Sequence, residues 1–231
     1  MRVVIVGAGQ AGAALAAKLR ALGHRGEILM LGDEPAPPYQ RPPLSKAYLL
    51  GEMEEDRLWL RAPEFWAENG VELRLGQPVT ALDPVAKTVT AGGEVLAYDH
   101  LALTTGSTPR SLPAAIGGGL EGVYTVRTLA DVDAMRGEFQ PGRRVIIVGG
   151  GYIGLEAAAV ASKLGLDVTV LEMAPRILQR VAAPETSDYV RALHRSHGVK
   201  LLEETGLDRL EGEGRVTGAR PAARIHASQR A

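Results

Sequence analysis

The chain has 231 residues, of which 45% are hydrophobic and 23% are charged, and its formal net charge is −1. This composition predicts a globular protein with one or two domains. The near-zero net charge argues against nucleic acid or an anionic membrane as a partner. Because cysteine is absent, a disulfide framework, a zinc ribbon, a cysteine-held iron–sulfur cluster and a CxxC redox centre are excluded.

Targeting and metal signals are absent from the sequence as well. No apolar stretch is long enough to cross a bilayer, and the first predicted strand begins at Arg2, which leaves no room for a signal peptide. We therefore expect a cytoplasmic protein. His194 and His197 lie on one predicted helix, but no acidic cluster accompanies them, so we predict a solvated helix face and no metal site.

The first chemical signal lies at the N-terminus. An apolar run over residues 2–6 enters a GxGxxG motif at Gly7, Gly9 and Gly12, and an Ala-rich stretch of helical period follows. Glycine is required where the backbone approaches a pyrophosphate closely, and the helix N-terminus offers free N–H groups to the phosphates. A second β-run ends at Asp33, which supplies the acidic residue that the motif requires.

A proline-dense segment over residues 35–46 follows this first unit. It prevents regular hydrogen bonding and presents Tyr39, Arg41 and Lys46 on a stiffened loop. One interpretation is a surface linker. The other is a rigid loop whose two cations suit an anionic ligand such as a pyrophosphate.

The next segment alternates with the period of strands. After a helix over residues 62–69, with Phe65 and Trp66 as expected core residues, four short strands are predicted over 71–75, 79–82, 87–90 and 94–97. We expect them to form a meander that precedes a parallel strand over 101–105. That strand ends at Gly106 before Pro109, where a chain leaves one domain for another. Residues 112–120 predict a flexible crossing, and Thr128 predicts a capping turn into a helix over 131–139.

The glycine motif then occurs a second time. An apolar run over residues 144–148 enters Gly149, Gly151 and Gly154, with Ile153 between the last two, and a later β-run ends at Glu172. The duplication predicts an α/β fold with two Rossmann-like, three-layer ββα dinucleotide-binding units and a small β-meander. The alternative is a pair of purely structural glycine turns.

The C-terminal part is less regular. A helix is predicted over residues 184–197 and strands over 199–202 and 207–216. After Glu213 no acidic residue follows, and the residues have no convincing period, so we predict an irregular tail.

These residues resemble the flavoprotein pyridine-nucleotide oxidoreductases. Within them, the chain is similar to the ferredoxin or rubredoxin reductases of oxygenase and cytochrome P450 systems. The resemblance is carried by the two glycine motifs, by the strand end Thr104-Thr105-Gly106, by the absence of cysteine, and above all by residues 38–46, which read PYQRPPLSK. It covers the chain from Arg2 to about Thr217.

The resemblance implies a split flavin domain with a nicotinamide domain inserted into it. Residues 1–108 would form the first part of the FAD-binding domain, residues 109–218 the NAD-binding domain, and residues 219–231 the irregular tail.

The resemblance also implies residues that bind FAD. Gly7, Gly9 and Gly12 would hold its pyrophosphate, and Asp33 the adenosine ribose. The other implied contacts are Arg41 and Lys46 along the FAD, with Lys46 near the isoalloxazine, Val79 to the adenine through its backbone, and Arg127.

For NAD, the resemblance implies that Gly149, Gly151, Ile153 and Gly154 hold the pyrophosphate region. Glu172 would accept the ribose hydroxyls and repel a 2′-phosphate, which favours NADH over NADPH. Glu156 would face the nicotinamide as a catalytic residue together with Lys46. The alternative for Glu156 is an acid in the first turn of a helix, which the helix dipole favours.

The implied activity is transfer of electrons from NADH through FAD to a [2Fe–2S] ferredoxin or a rubredoxin, with no nucleic acid or membrane involved. Two alternatives stay open. One is a related flavoenzyme with another acceptor, such as an NADH oxidase or a nitrite reductase component. The other is a non-catalytic remnant that binds NAD.

The chain departs from the family pattern at its C-terminal end. In the family, the chain returns to the flavin domain with a Gly-Asp turn and continues into a C-terminal domain, and neither follows Thr217 here. We therefore expect a truncated or frame-shifted member with a foreign last stretch, in which FAD binds weakly or not at all.

Overall fold

The first glycine motif lies between a buried strand and a helix, as the sequence predicts. A computed structural model describes residues 1–222 of the chain. Its residues group by contacts into two units, and the first consists of Met1–Arg41 and Met53–Thr108. In chain order the first unit contains β1 (Val3–Val6), α1 (Gln10–Ala21), β2 (Ile28–Leu31), α2 (Pro63–Glu68), β3 (Val71–Arg74), β4 (Val79–Asp83), β5 (Thr88–Ala91), β6 (Glu94–Ala97) and β7 (His100–Leu103).

Four of these strands form one parallel sheet in the order β3-β2-β1-β7. Val3 is aligned with Ile28 on one side and with His100 on the other. Strand β3 pairs with β2 in the same parallel sense, so the expectation that residues 71–75 belong to the meander is wrong. Local alternation could not reveal this, because Val71 is buried against the parallel sheet by contacts distant in sequence.

The meander consists of β4, β5 and β6, which pair in antiparallel sense. Val89, Ala91 and Leu96 form a core cluster with residues of one face of the parallel sheet. The opposite face packs against α1, and Trp66 is buried there as predicted. The first unit therefore has three layers, namely an antiparallel sheet, a parallel sheet and a helix, which confirms the predicted ββα arrangement.

The second unit consists of Pro42–Glu52 and the chain from Pro109 onward. It contains a 3₁₀ turn at Pro42–Ser45 and another at Ala114–Ile116. Its other elements are α3 (Leu129–Arg136), β8 (Arg144–Val148), α4 (Tyr152–Lys163), β9 (Asp167–Leu171), α5 (Pro184–Ser196), β10 (Lys200–Leu202), β11 (Leu207–Glu211) and β12 (Gly218–Pro221). Strands β10, β9 and β8 form a parallel sheet in that order.

The duplication of the motif extends to the helices that follow it. Helices α1 and α4 each have 12 residues. Beyond their caps at Leu22 and Leu164 lie Gly23 and Gly165, with φ of +84° and +83°. A left-handed residue at this place ends a helix and is accessible to glycine at little cost. The sequence repeat thus corresponds to a repeated strand–turn–helix.

The expected irregular tail is partly wrong. Gly218–Pro221 forms β12, which pairs in antiparallel sense with β11. The side chain of Arg220 lies 3.5 Å from the carboxylate of Glu211 and 3.9 Å from that of Asp208. Backbone pairing and these charges need no apolar periodicity, which is why the pattern gave no strand signal. The remainder of the predicted tail, residues 223–231, lies outside the described residues.

The expected flexible crossing at residues 112–120 is an ordered turn. Gly117 has φ +91°, and a Cβ built on it would lie 2.8 Å from Cβ of Leu210. A Cβ on Gly118 would overlap the carbonyl oxygen of Leu112. The consecutive glycines therefore permit tight packing against β11 and do not mark a loose linker.

The described residues contain neither a membrane-spanning helix nor a cluster of metal ligands. Between residues 1 and 222, no helix combines the length and apolarity needed to cross a membrane. Over the same residues, no group of three His, Cys, Asp or Glu side chains could hold a metal ion.

A partly buried ion pair fixes the segment that follows β9. Arg191 on α5 donates to both carboxylate oxygens of Glu203, at 2.7 and 2.8 Å, and the backbone N–H of Ile177 donates to the same carboxylate at 2.9 Å. Burial alone would raise the pKa of Glu203, but the hydrogen bonds from Arg191 and Ile177 outweigh it and lower the pKa below its usual value.

Because the folded pKa of Glu203 is depressed, its contribution to stability is present above the unfolded pKa and is lost as the pH falls through the folded pKa. We predict that Glu203→Gln lowers the free energy of unfolding by about 1–3 kcal/mol at neutral pH. The difference from wild type should shrink once the pH is below about 4. Urea denaturation of both proteins, followed by circular dichroism at neutral and at acidic pH, measures this difference in the free energy of unfolding. An equal difference at the two pH values would contradict a stabilising role for the ionised Glu203 carboxylate.

Candidate nucleotide-binding sites

Both glycine motifs make the same close contact between the strand end and the helix. A Cβ built on Gly12 would overlap the carbonyl oxygen of Gly7, and a Cβ built on Gly154 would overlap that of Gly149. The first glycine of each motif has positive φ, +111° at Gly7 and +114° at Gly149. Glycine is therefore required at these four positions by the fold of the turn itself.

The middle glycine of each motif is not explained by the fold of the turn. A Cβ on Gly9 or on Gly151 would meet no protein atom within 4 Å, so the fold does not require glycine there. Each is the N-cap of its helix, without a side-chain hydrogen bond to the cap and without an acidic residue in the first turn. Free N–H groups, a positive dipole end and an approachable backbone together fit an anion such as a pyrophosphate.

Glu172 lies against the second motif, as the sequence predicts for an acidic residue after the second strand. Its carboxylate accepts from the backbone N–H of Gly150 and of Ala174, each at 2.7 Å. A carboxylate has about four lone-pair positions, so these two bonds orient the group and leave acceptor positions for hydroxyl donors. A Cβ on Gly150 would lie 3.1 Å from a Glu172 oxygen and 2.7 Å from the Ile177 side chain, so this glycine makes room for the acid.

A cleft of about 310 Å³ opens at the same end of the sheet. Glu172, Gly149 and Val148 at the end of β8 are among the residues that line it. The apolar side chains of Leu112 and Ile116 line one part, and Leu207 with the exposed Met173 lines another. Apolar lining beside an oriented carboxylate suits an aromatic base attached to a ribose.

In the first unit, the predicted residues near the acidic strand end form a hydrogen-bonded group. Arg41 donates to Glu34 at 2.6 Å, and Tyr39 donates to the other oxygen of Glu34 at 2.6 Å. The guanidinium also lies over the Tyr39 ring, 5.1 Å from its centroid. Asp33, the predicted ribose ligand, is exposed immediately before this group. Its role, like that of Arg41, stays a prediction.

The structure brings the two predicted catalytic residues together. The ammonium of Lys46 lies 2.8 Å from one carboxylate oxygen of Glu156, and the hydroxyl of Ser45 donates to the other at 2.6 Å. Glu156 is the fifth residue of α4 and lies outside its first turn. The alternative of a first-turn acid therefore does not describe it. Its partners are instead residues of the proline-rich segment, 110 and 111 positions away in sequence.

Three other predicted residues lie at element ends. Val79 begins β4, and the pairing of β4 with β5 shifts register between Val79 and Ala81. Arg127 precedes the N-cap of α3, and its backbone N–H donates to Asp131 at 3.0 Å. Ile153 is 52% exposed in the first turn of α4. Their contacts with a cofactor stay predictions.

Several residues of these sites carried no individual signal in the sequence. Glu34, Ser45 and Gly150 each lie within a sequence motif without a role of their own, and their partners become visible only in the folded chain. The cleft residues Leu112 and Ile116 belong to a stretch whose glycines predicted flexibility. Only their place in a motif could have indicated the first three, and no pattern indicates the last two.

Two Rossmann-like units with uncapped glycine turns define a dinucleotide-binding protein. The family model described as pyridine nucleotide-disulphide oxidoreductase matches residues 1–227, and the chain belongs to this family. The match extends beyond Thr217, where the resemblance was expected to end.

Within this family, the chain is similar to ferredoxin reductases. The chain is 45% identical over 221 residues to a probable ferredoxin reductase, CtmF, of Castellaniella defragrans, covering 95% of this chain and 54% of that protein. The reductase in the covalent putidaredoxin reductase–putidaredoxin complex superimposes with a TM-score of 0.92 at 40% identity, covering 95% of this chain and 54% of that one. The chain thus spans about half the length of these relatives.

A more distant solved structure is a water-forming NADH oxidase from Lactobacillus brevis bound to NADH. It has a TM-score of 0.85 and 25% identity, and the match covers 92% of this chain and 48% of that one. The same two-unit architecture therefore occurs in proteins with different electron acceptors.

The two open glycines permit a prediction that separates binding from folding. Gly151→Ala should lower the melting temperature without nucleotide only slightly, by the cost of alanine at a helix N-cap, because its Cβ meets no protein atom. It should weaken NADH binding by about tenfold or more, equivalent to about 1.4 kcal/mol, because the methyl group occupies the approach of the phosphates. Calorimetric titration with NADH and thermal unfolding measure the two effects.

Gly9→Ala is the matched control, since its Cβ is equally unobstructed in the first unit. It should leave NADH binding unchanged. Equal loss of NADH affinity in both variants, or no loss in Gly151→Ala, would show that the second motif is not the NADH site.

Proposed function

We propose that the chain forms the dinucleotide-binding part of an FAD-dependent NADH:ferredoxin reductase, which passes electrons from NADH through FAD to a ferredoxin or rubredoxin. The observation that carries the proposal is the pair of uncapped helix N-termini, each with a glycine whose Cβ would meet no protein atom. Two such cradles on one chain suit two dinucleotides, and the ferredoxin reductases that resemble the chain support the choice of partner.

FAD fits the first unit, as part of a proposed FAD-binding domain over residues 1–108. The N-terminus of α1 at Gly9 would bind its pyrophosphate, with Gly7 and Gly12 shaping the turn. The group of Arg41, Tyr39 and Glu34 beside the motif supplies donors and acceptors for the adenosine half. Of the other proposed FAD contacts, Asp33 would accept ribose hydroxyls, while Val79 and Arg127 would border the cofactor.

NAD fits the second unit, as part of a proposed NAD-binding domain over residues 109–218. The N-terminus of α4 would bind the pyrophosphate at Gly151, between Gly149 and Gly154, with Ile153 in the same turn. Glu172, oriented by two backbone N–H groups, would accept the ribose hydroxyls. The apolar cleft beside it would take the adenine.

The chemistry divides between cofactor and protein. A bound flavin supplies the ability to accept a hydride from NADH and to release the electrons singly. Lys46 and Glu156 hold a fixed pair of opposite charges, and Ser45 donates to the carboxylate so that its second oxygen is also oriented. Because both partners are anchored before any ligand arrives, they would place charge at the reacting end of the nicotinamide without a reorganisation cost.

The proposed acceptor is a small iron–sulfur protein of the [2Fe–2S] ferredoxin class, or a rubredoxin. The support is that the superimposed reductase is in a covalent complex with putidaredoxin. The described residues of this chain hold no metal-ligand cluster, and the proposed electron path ends on the partner.

An NADH oxidase is the second candidate, favoured by the superposition on the NADH-bound oxidase. It is the weaker candidate, because identity to that structure is 25%, compared with 45% to the ferredoxin reductase.

A spectroscopic experiment tests the proposal. The purified protein is loaded with FAD, its visible spectrum is recorded, and NADH is added without oxygen. Because the chain spans about half the length of its relatives, FAD is supplied in excess to fill a weak site. Under these conditions we expect flavin absorption bands that bleach with NADH, followed by reduction of a [2Fe–2S] ferredoxin faster than reduction of oxygen. Faster reduction of oxygen would favour the oxidase.

Absence of flavin bands, combined with saturable NADH binding, would instead indicate an NAD-binding protein without turnover. Absence of both flavin and NADH binding would contradict the proposed function altogether.

Glu172 gives a prediction about cofactor choice. Its carboxylate would repel the 2′-phosphate of NADPH, so Glu172→Ala should shift the ratio of NADPH to NADH affinity in favour of NADPH by about tenfold or more. Titration with both nucleotides measures the ratio. Glu213→Ala removes an exposed acid of the same unit and should leave the ratio unchanged. An unchanged ratio in Glu172→Ala would remove Glu172 from the ribose site.

A further inference from the structure

The segment Pro42–Glu52 is an ordered element of the second unit, although the chain on both sides of it belongs to the first. After its 3₁₀ turn it continues through further hydrogen-bonded turns, with Leu50 N–H bonded to the Lys46 carbonyl at 2.9 Å and Glu52 N–H to the Ala47 carbonyl at 2.8 Å. Leu44 and Leu49 are each 2% exposed. The segment packs against α3 and α4. Because its backbone is hydrogen-bonded internally, the position of the segment on these helices determines where its side chains lie.

Tyr48 attaches this segment to α3. Its hydroxyl donates to the carboxylate of Asp133 at 2.6 Å, and the Tyr48 side chain is 3% exposed. The guanidinium of Arg136, one turn further along α3, lies over the ring at 5.2 Å from its centroid. A buried phenol that donates to a carboxylate is a charge-assisted hydrogen bond, which is stronger than a bond between neutral groups.

The attachment is coupled through the backbone to the charged residues of the site. The backbone N–H groups of Lys46 and Tyr48 both donate to the carbonyl of Pro43, each at 3.0 Å. A displacement of Tyr48 on α3 must therefore displace the turn that carries Lys46 and Ser45. Both of those side chains reach Glu156, on α4. Two helices are thus bridged by one short segment, through Asp133 on α3 and Glu156 on α4.

A second polar contact of the segment is of a different kind. Lys163 lies 2.6 Å from Glu52, but the two side chains are 61% and 55% exposed. Exposed ion pairs contribute little because water and salt screen them and side-chain entropy opposes them. The hydrogen bond from Tyr48 to Asp133 differs, because the phenol is 3% exposed although Asp133 itself is exposed, so it contributes more to holding the segment on α3 than the pair of Glu52 and Lys163 does.

We propose that Tyr48 and Asp133 are positioning residues, which hold the Pro42–Glu52 segment on α3 so that Lys46 and Ser45 bind both oxygens of Glu156. The catalytic consequence of this placement rests on the proposed function, whereas the placement itself does not. Neither residue needs to touch substrate or cofactor. Their effect is transmitted through the turn that begins at Pro43.

Chemical labelling of lysines tests the placement without any cofactor. An ammonium held on a carboxylate reacts more slowly with an acylating reagent than a released amine does, and mass spectrometry reports each lysine separately. We expect Tyr48→Phe, which keeps the ring and the guanidinium stacking, to raise the labelling rate of Lys46 by about threefold or more. Lys18 and Lys200 should be unchanged as internal references.

Three further variants calibrate the result. Glu156→Gln removes the partner of Lys46 and should give the highest Lys46 labelling rate, whereas Asp133→Asn should resemble Tyr48→Phe. Glu52→Gln breaks the exposed contact of the same segment and should leave Lys46 unchanged. An unchanged Lys46 rate in Tyr48→Phe, with Glu156→Gln raised, would overturn the proposal. A general rise across all lysines would also overturn it, because it would show loss of the fold in place of loss of position.

Kinetics of the FAD-loaded protein then test the consequence for catalysis. In Tyr48→Phe we expect flavin reduction by saturating NADH to slow by about threefold or more, with the NADH dissociation constant unchanged, because the nucleotide cradle is untouched. A slower rate together with weaker NADH binding would contradict a positioning role. If wild type itself shows no flavin reduction, the proposed function fails, while the labelling result still decides the placement.

Discussion

Both halves of the described structure depend on one steric constraint at the turn between strand and helix. The carbonyl oxygen of the first glycine of each motif occupies the space that a Cβ of the third would need, at Gly7 with Gly12 and at Gly149 with Gly154. This contact lets the helix start directly above the strand end, so that its free N–H groups point at the carboxyl edge of the sheet. The middle glycine is free of this constraint in both copies, and its small size matters only to a ligand. The fold therefore requires glycine at the first and third glycine positions of the motif, whereas ligand binding would require it at the middle one.

The two copies differ in what surrounds that turn. In the first unit, Thr104 follows β7 and its hydroxyl donates toward the carbonyls of Val6 and Gly7, at 3.1 and 2.9 Å, so a neighbouring strand supports the turn. In the second unit, β8 pairs with β9 on one side, and within residues 1–222 no strand pairs with its other side. Instead, Gly150 stands where the first copy has Ala8, and the missing methyl group admits Glu172 to the backbone N–H of the motif. The first glycine turn is thus supported by a residue of the neighbouring strand end, and the second by the carboxylate of Glu172.

Local patterns predicted the elements of the chain better than their partners. The glycine spacing, the helix periods and the capping sequence at Thr128 are properties of short segments, and all three were found, including a reciprocal capping box between Thr128 and Asp131. The assignment of β3 to the parallel sheet and the pairing of β12 depend on contacts between distant residues, and both expectations were wrong. The contact between Lys46 and Glu156 joins residues 110 positions apart, and the resemblance alone placed both near one reaction. The contacts of Ser45 with Glu156 and of Tyr48 with Asp133 could be recognised only in the folded chain.

The proline-rich segment at residues 35–46 shows why composition left two interpretations of its role open. Prolines reduce the backbone hydrogen bonds that a segment can make, which suggests a linker. The same restriction lowers the entropy lost when the segment is ordered, so a few contacts suffice to fix it. The segment runs directly into Pro42–Glu52, whose contacts are the buried Leu44 and Leu49, the phenol of Tyr48 on Asp133, and two donors, Ser45 and Lys46, on Glu156. Because ordering costs little, the charge of Lys46 can be held in place while its side chain stays 49% exposed. A stiff segment is thus a means of presenting a cation at a partly open site, where packing alone could not immobilise it.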